Sequence, residues 1–353
     1  MKALRIYKDG IVKVDKVDDP IVLPEEVKIK VKACGVCGSD IPRVLANKAH
    51  YYPIILGHEF SGIVVETGSN VRNVKVGDHV VGAPLLPCFK CEDCQNGNYS
   101  LCKHYSFIGS RVSGAMAEYV TIPERNAVKI SKNIDFIDAA FVEPITVVLH
   151  AFAQNKHCAG GSVAILGLGT MGCLAVQVAK AIGATNITVF VRNNKYNELA
   201  TKLGVDNVID TSSSNWQEKF KNVTNGRGFD FIYETAGAAQ TIKHAFDIAA
   251  NKARICLIGT PKTEVSFTVQ QWEQINRKEF FLTGSWMSYS KEFPGEEWTQ
   301  AVKYLGEGSI KILPEMIHRK VNLLRSMDLF DDYKATGSIP GRNVIVIEEE
   351  KCD

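Results

Sequence analysis

The stretch Ser162-Val163-Ala164-Ile165-Leu166-Gly167-Leu168-Gly169-Thr170-Met171-Gly172 decides how the rest of the chain is read. Ser162 to Leu166 is a short apolar run of the kind that fills a strand buried on both faces. Gly167, Gly169 and Gly172 follow at G-x-G-x-x-G spacing, and Met171 to Ala181 carries apolar positions three and four apart, as a helix does. In such a unit Gly167 permits a tight turn and Gly169 lets a pyrophosphate approach the backbone. Gly172 lets the helix lie close on the strand, while Thr170 and Met171 open the helix whose N-terminus faces the phosphate charge. Three glycines alone also suit an ordinary turn between buried elements. With this strand before them and this helix after, they predict dinucleotide binding.

Strand and helix alternate from there on. Asn186–Val191, Asn207–Ile209, Phe229–Glu234, Arg254–Ile258 and Phe280–Trp286 read as strands, Glu198–Leu203 and Trp216–Val223 as helical. This pattern predicts an α/β fold with a doubly wound parallel sheet. Ligands of such sheets bind beyond the carboxyl ends of the strands, so Thr235, Gly237, Gly259 and Ser285 are expected to border the cofactor. An NAD site calls for an acid about 20 residues past the glycines, on the ribose hydroxyls. The residues found there are Val191-Arg192-Asn193-Asn194-Lys195, and the next carboxylate, Glu198, falls inside the following helix. A basic end tolerates a 2′-phosphate, and Arg192 can fork onto it. NADP is therefore expected ahead of NAD, the alternative being that Arg192 and Lys195 only solvate a turn.

The 353 residues leave room for two domains, and a 45% hydrophobic, 23% charged composition is that of an ordinary globular protein. A net charge of +2 gives no reason to expect a nucleic acid or membrane surface as partner, and no apolar run approaches the ~20 residues of a bilayer span. With no leader segment in view, the expected location is cytoplasmic. Ten cysteines in a reducing compartment point to metal. Cys88, Cys91, Cys94 and Cys102, at C-x2-C-x2-C-x7-C spacing in a polar loop, predict a tetrahedral zinc with no open position, hence a structural one. Cys34, Cys158, Cys173 and Cys256 are expected as core thiols, and Cys352 in a tail beside the solvated acids Glu348–Glu350.

The first part of the chain reads as an irregular, β-rich domain. Val27–Lys32 alternates with period two, Asp18-Asp19-Pro20 and Leu23-Pro24 mark turns, and Phe60–Glu66 is a strand. Cys34-Gly35-Val36-Cys37-Gly38-Ser39-Asp40 looks too rich in glycine for a strand interior. Cys37 and His58 each stand beside a glycine in non-repetitive chain, while Glu143 is an acid in the apolar run Ala139–Ile145, where a buried charge needs a partner. Spacing does not link the three. Singly, each reads more readily as structural than as catalytic: a core thiol, a satisfied histidine and an ion-paired glutamate.

Taken together, Cys37-Gly38-Ser39-Asp40, Gly57-His58-Glu59, the four-cysteine loop, Glu143-Pro144 and the glycine turn resemble the zinc-dependent medium-chain alcohol dehydrogenases over nearly the whole length. His50-Tyr51-Tyr52-Pro53, Pro84–Cys88, Phe107–Arg111, Gly284–Met287 and Pro294-Gly295-x-Glu297-Trp298 resemble the polyol branch. The resemblance implies a Rossmann unit at residues 149–290, inserted in a GroES-like catalytic domain made of residues 1–148 and 291–353. Substrate, zinc and nicotinamide are then expected to meet between them. It implies a catalytic zinc on Cys37, His58 and Glu143, and so two zinc ions per chain, with Glu59 beside the metal as a supporting or exchangeable ligand. Such a metal favours the alkoxide and prepares hydride departure. Ser39 matches the hydroxyl that passes the alkoxide's proton on. Many relatives carry a histidine a few residues later; Pro42 stands here, which leaves the outer end of the relay open. The implied substrate is a sugar-alcohol phosphate of the galactitol 1-phosphate kind, oxidised at a secondary hydroxyl. Arabitol-phosphate, sorbitol and threonine types, or a non-catalytic nucleotide-binding relative, are the alternatives. The implied assembly is a homodimer or homotetramer. A substrate phosphate calls for arginine, so Arg43 and Arg111 are candidates, with His50 and Tyr51 near them; surface ion pairs are the competing role for both arginines.

Overall fold

The computed structural model describes residues 1–336 and 339–347, without the side chains of Asn194 and Thr336; the acidic end Glu348–Glu350 and Cys352 lie outside the described residues. Two units divide at Thr146/Val147 and at Ser288/Tyr289.

In the first unit the early chain gives Lys2–Ile6 (β1), Val12–Lys16 (β2), Glu26–Gly35 (β3), Ile54–Ile55 (β4), Glu59–Thr67 (β5), His79–Gly82 (β6), Leu85–Leu86 (β7), Ser106–Phe107 (β8), Tyr119–Pro123 (β9) and Ala127–Lys129 (β10). The last part of the chain, in the same unit, gives Ile317–Asn322 (β17) and Arg342–Val346 (β18). β3 is the spine, pairing antiparallel with β5, β9 and β18. Its alternate residues Val27, Ile29 and Val31 enter a core with Leu4, Phe60, Val80 and Ile345, as period two requires. The strand does not stop before Cys34, as the glycine content predicts. Gly35 pairs with Glu59 on one side and Val344 on the other, and two ladders outweigh a weak strand former. A Cβ at Gly35 would lie 2.5 Å from the Glu59 carboxylate, so the backbones approach closely there.

The second unit contains Ser162–Leu166 (β11), Thr185–Val191 (β12), Asn207–Asp210 (β13), Phe229–Glu234 (β14), Ala249–Leu257 (β15) and Phe281–Gly284 (β16). All pair in parallel, in the order β13-β12-β11-β14-β15-β16. This is the doubly wound sheet, and its order reverses between β11 and β14. Helices Thr170–Ala181, Asn197–Leu203, Trp216–Val223 and Ala239–Asp247 connect the strands. β15 starts earlier than its apolar run, at Ala249, and passes a left-handed residue at Lys252 (φ 62°). β16 ends at Gly284 rather than Trp286. Cys34, Cys173 and Cys256 are buried thiols, but Cys158 is exposed, because it follows the helix Val142–Gln154 and precedes β11 instead of lying in either. Among the described residues, no helix is long and apolar enough to cross a membrane.

Candidate active site

Where β3 ends, the Val36 N–H donates to the Asn343 carbonyl (2.9 Å), and the chain turns through Cys37–Asp40 into the short helix Asp40–Leu45. The Cys37 N–H donates to an Asp40 carboxylate oxygen (3.2 Å). The Ser39 hydroxyl lies 3.3 Å from Cys37 Sγ. On the neighbouring segment Gly57 has φ 99°, and a Cβ there would lie 2.7 Å from Cys34 Sγ; only glycine brings the next two residues so close to β3. Those two are His58 and Glu59. One ligand atom each from Cys37, His58 and Glu59 all fall within 4.8 Å of one another. Glu143, in the first turn of the helix Val142–Gln154, stands outside that group. Glu59 thus joins Cys37 and His58, while Glu143 is near enough to feel the charges of Glu59 and His58.

Charge around this group is one-sided. Asp40, fully buried, faces His58 Nδ1 at 3.7 Å and Arg43 at 3.3 Å. Glu59, 1% exposed, pairs with Arg342, delivered by β18. Burial pushes the Cys37 thiol far up, and Glu59 adds to it. Burial, then Glu59, raises the Glu143 carboxyl to about 7, against His58 and Arg342. One thiol and three carboxyls therefore share two guanidiniums, and three of the four acids, Cys37, Asp40 and Glu143, are driven towards neutrality. A divalent cation supplies the missing charge, and a thiolate, imidazole and carboxylate set suits zinc. Asp40 behind His58 Nδ1 leaves Nε2, 3.9 Å from Glu59, for the metal.

The second metal group is complete. Cys88, Cys91, Cys94 and Cys102 place all four sulfurs within 4.8 Å of one another, with Cys88–Cys94 and Cys91–Cys102 at 3.9 Å. A tetrahedron with Zn–S bonds of about 2.3 Å has edges of ~3.8 Å. The N–H groups of Lys90 and Cys91 pull the Cys88 thiol down to about 6, while burial pushes Cys94 up to about 12. Phe89, Tyr99 and Phe293 form a triangle of rings 5.3–5.6 Å apart beside this loop. Sequence reasoning missed that clasp, since Phe293 is remote in the chain.

The glycine turn is built as its spacing predicts. Gly167 has φ 99°, and a Cβ on Gly172 would lie 2.1 Å from the Gly167 carbonyl. A Cβ on Gly169 would meet nothing within 4 Å, so the backbone is open where a pyrophosphate is expected. No side chain caps the helix starting at Thr170 and Met171, which leaves its first N–H groups for a ligand. The Thr235 hydroxyl donates to the carbonyls of Leu166 (3.0 Å) and Gly167 (3.2 Å), bracing the turn. Gly237 and Gly259 pack backbone against backbone; a Cβ on Gly259 would lie 2.1 Å from Gly237 N. The Ser285 N–H donates to Leu257 O (3.0 Å), and its Oγ is buried without a partner. The residues present fit a dinucleotide.

Residues 23–132 match the family model of the alcohol dehydrogenase GroES-like domain, and residues 170–305 that of the zinc-binding dehydrogenase. The chain belongs to the zinc-binding alcohol dehydrogenase family. This dehydrogenase is 40% identical to galactitol 1-phosphate 5-dehydrogenase of Escherichia coli (strain K12), over 90% of its own length and 92% of the relative's. The crystal structure of the galactitol-1-phosphate dehydrogenase from Escherichia coli superposes with a TM-score of 0.92 at 38% identity, covering 98% of this chain and 100% of that one. L-threonine 3-dehydrogenase of Bacillus velezensis is 34% identical over 85% of this chain and 86% of the relative. A zinc-binding dehydrogenase from Sinorhizobium meliloti, bound to NADP, matches with a TM-score of 0.88 at 30% identity, covering 98% of both chains.

In the dehydrogenase, the residues expected at the substrate divide into two kinds. Arg43 is engaged: it donates to the Ser39 carbonyl (2.6 Å) and hydroxyl (3.1 Å) and pairs with Asp40. The ion-pair role is the one observed for it. Arg111 is exposed, lies 4.4 Å over the Tyr105 ring, and has no carboxylate within 4.0 Å among the described residues. Partial burial, then Arg111 and Arg43, lower the pKa of His50, so the three basic groups are electrostatic neighbours. Tyr51 is 40% exposed. Arg192 is exposed just beyond β12. Asp210 lies opposite Val191 in register, and its Oδ1 accepts from the Ser212 N–H (2.9 Å) and hydroxyl (2.7 Å). Asp40 stands inside a quoted motif with its role unseen, and Arg342 had no local signal at all.

Proposed function

We propose that this dehydrogenase oxidises a secondary hydroxyl of a sugar-alcohol phosphate, of the galactitol 1-phosphate kind, and passes the hydride to a nicotinamide cofactor. The observation that carries the proposal is the grouping of Cys37, His58 and Glu59 with an excess of negative charge around them. Cys37 and His58 hold the catalytic zinc, with Glu143 completing the set and Glu59 exchanging at it, while the four-cysteine loop holds a second ion. The zinc, when bound, acts as Lewis acid towards the substrate hydroxyl. Ser39 Oγ, exposed and joined to the Arg43 guanidinium, accepts that hydroxyl's proton as it passes its own to solvent. Asp40, 3.7 Å from His58 Nδ1, sets a buried carboxyl behind the ring. Arg111, without a carboxylate of its own and beside His50, receives the substrate phosphate, with Tyr51 lining the approach.

At the cofactor, Gly167, Gly169, Thr170, Met171 and Gly172 hold the pyrophosphate, and Thr235, Gly237, Gly259 and Ser285 border the remainder. Arg192 is exposed just beyond β12, which supports NADP ahead of NAD. The NADP in the Sinorhizobium meliloti relative supports the same choice. We place the reaction in the cytoplasm, with the described cysteines free. Exposed Phe281 and Leu282 on the edge strand β16 support a homodimer or homotetramer, which sedimentation would measure.

The deciding experiment is a panel of galactitol 1-phosphate, arabitol phosphate, galactitol, sorbitol and L-threonine, each with NAD and NADP. The expected result is the highest kcat/KM on a polyol phosphate. A preference for threonine or an unphosphorylated polyol would refute the substrate class, and one zinc per chain would refute the catalytic metal.

A further inference from the structure

Glu234 closes β14 and is fully buried. No cation lies against it among the described residues. Its Oε1 accepts from the N–H groups of Ala236 (3.0 Å) and Gly237 (2.9 Å) and from the Thr241 hydroxyl (2.6 Å). Its Oε2 accepts from Gly237 at 3.1 Å. Burial pushes the carboxyl upward, while these donors pull the other way. The Ala236 and Gly237 N–H groups can only donate, and the Thr241 hydroxyl, which also lies 2.8 Å from the Ala238 carbonyl, adds to a surrounding that suits an ionised carboxylate. The charge sits at the start of the helix Ala239–Asp247, where the helix dipole favours it.

The same group fixes the walls of the loop. A Cβ on Gly259 would lie 2.7 Å from Glu234 Oε2, so the β15 loop closes over the carboxylate. Thr235, next in the chain, braces Leu166 and Gly167 of the glycine turn. Strand order then says which half of a dinucleotide meets this loop. The adenosine ribose belongs at the end of β12, on one side of β11; the nicotinamide half belongs over β14 and β15, on the other.

Resting on the dinucleotide reading of the turn, we propose that Glu234 is a positioning residue: it shapes the nicotinamide-side loop, and its fixed negative charge favours the oxidised, cationic nicotinamide over the reduced, uncharged one. Calorimetric titration of the zinc-loaded protein with oxidised and reduced NADP tests this without turnover. In Glu234→Gln the amide oxygen can replace Oε1 and keep its three bonds while the charge is lost. The expected result is a Kd for the oxidised form raised about fivefold and one for the reduced form changed less than about twofold, the scale of one screened charge nearby. Thr241→Val loosens the loop but keeps the charge, so it should weaken both forms by the same factor. Equal changes for both forms in Glu234→Gln, no change in either, or the same change of ratio in Thr241→Val would overturn the proposal. If Glu234→Gln fails to fold, Glu234→Asp must keep the wild-type ratio, and a collapsed ratio overturns it as well. A wild type that binds neither form overturns the dinucleotide reading together with this one; a wild type that binds both, with an unmoved ratio in the variant, overturns this one alone.

Discussion

Replacing Arg342 with methionine keeps most of the side chain's bulk and removes the guanidinium beside Glu59. Glu59 is 1% exposed and the Arg342 side chain 9%, so the pair is shielded from water on both sides. In the metal-free protein the variant leaves Glu59 without an arginine or lysine partner among the described residues. It also strips the opposing cation from Cys37 and Glu143, both of which Arg342 holds down. Breaking a buried pair by removing one partner costs about 3–5 kcal/mol. At about 2–4 °C per kcal/mol for a unit of roughly 200 residues, Tm should fall by about 6–20 °C. A bound divalent ion offers Glu59 and its neighbours a second counter-charge, so zinc should recover at least half of that loss. The assay is thermal unfolding of wild type and Arg342→Met, each with chelator and with zinc. An equal loss in both conditions would refute the charge-balance reasoning, as would a metal-free loss below about 1 kcal/mol.

Three further outcomes are expected. Cys91→Ser should lower zinc content by one ion per chain and reduce Tm, with kcat per folded molecule little changed; unchanged zinc and Tm would remove the structural role. Arg111→Ala should raise KM for a polyol phosphate by about tenfold or more, the worth of one charge-assisted bond, and leave KM for the unphosphorylated polyol nearly unmoved. In the metal-free protein Glu143 has its pKa raised from 4.5 to about 7, so the folded state binds the extra proton; its contribution is present below about 4.5 and is lost as pH rises towards and through 7. Glu143→Gln should flatten that part of the stability profile, and an unaltered slope between those values would show that the carboxyl titrates normally.

Legibility followed the range of the forces involved. Ser162–Leu166 and Trp216–Val223 run between the residues their patterns predict, because burial on both faces and a 3.6-residue period are properties of the segment itself. Cys88 to Cys102 was legible for the same reason: one short loop carries the whole donor set. β3 ran past its expected end because the evidence that Gly35 is a strand residue lies in Glu59 and Val344, its ladder partners. Cys158 looked like a core thiol from its apolar neighbours, yet those neighbours belong to elements that stop on either side of it. Glu234 was passed over as the last letter of a strand, since nothing local distinguishes an acid that faces water from one that collects loop N–H groups.

The same distinction explains why the metal donors were harder to assign than the metal. Cys37, His58 and Glu59 come together because β3 and β5 pair in a register that sets Gly35 against Glu59. The ion-pair partner of Glu59 there is Arg342, and Arg342 arrives only because β18, from the far end of the chain, pairs with β3 through Val344 and Gly35. A one-residue slip of β18 would turn Arg342 to the other face of the sheet. Glu59 would then lie against Cys37 and Glu143 with no cation to separate their charges. The β18 register is therefore a determinant of the zinc site as direct as the ligands themselves, although no residue of β18 lies among the ligand candidates. Substitutions in β18 that weaken its register, such as Val344→Gly, should lower zinc affinity before they lower the stability of the second unit, because only the first unit draws on that strand.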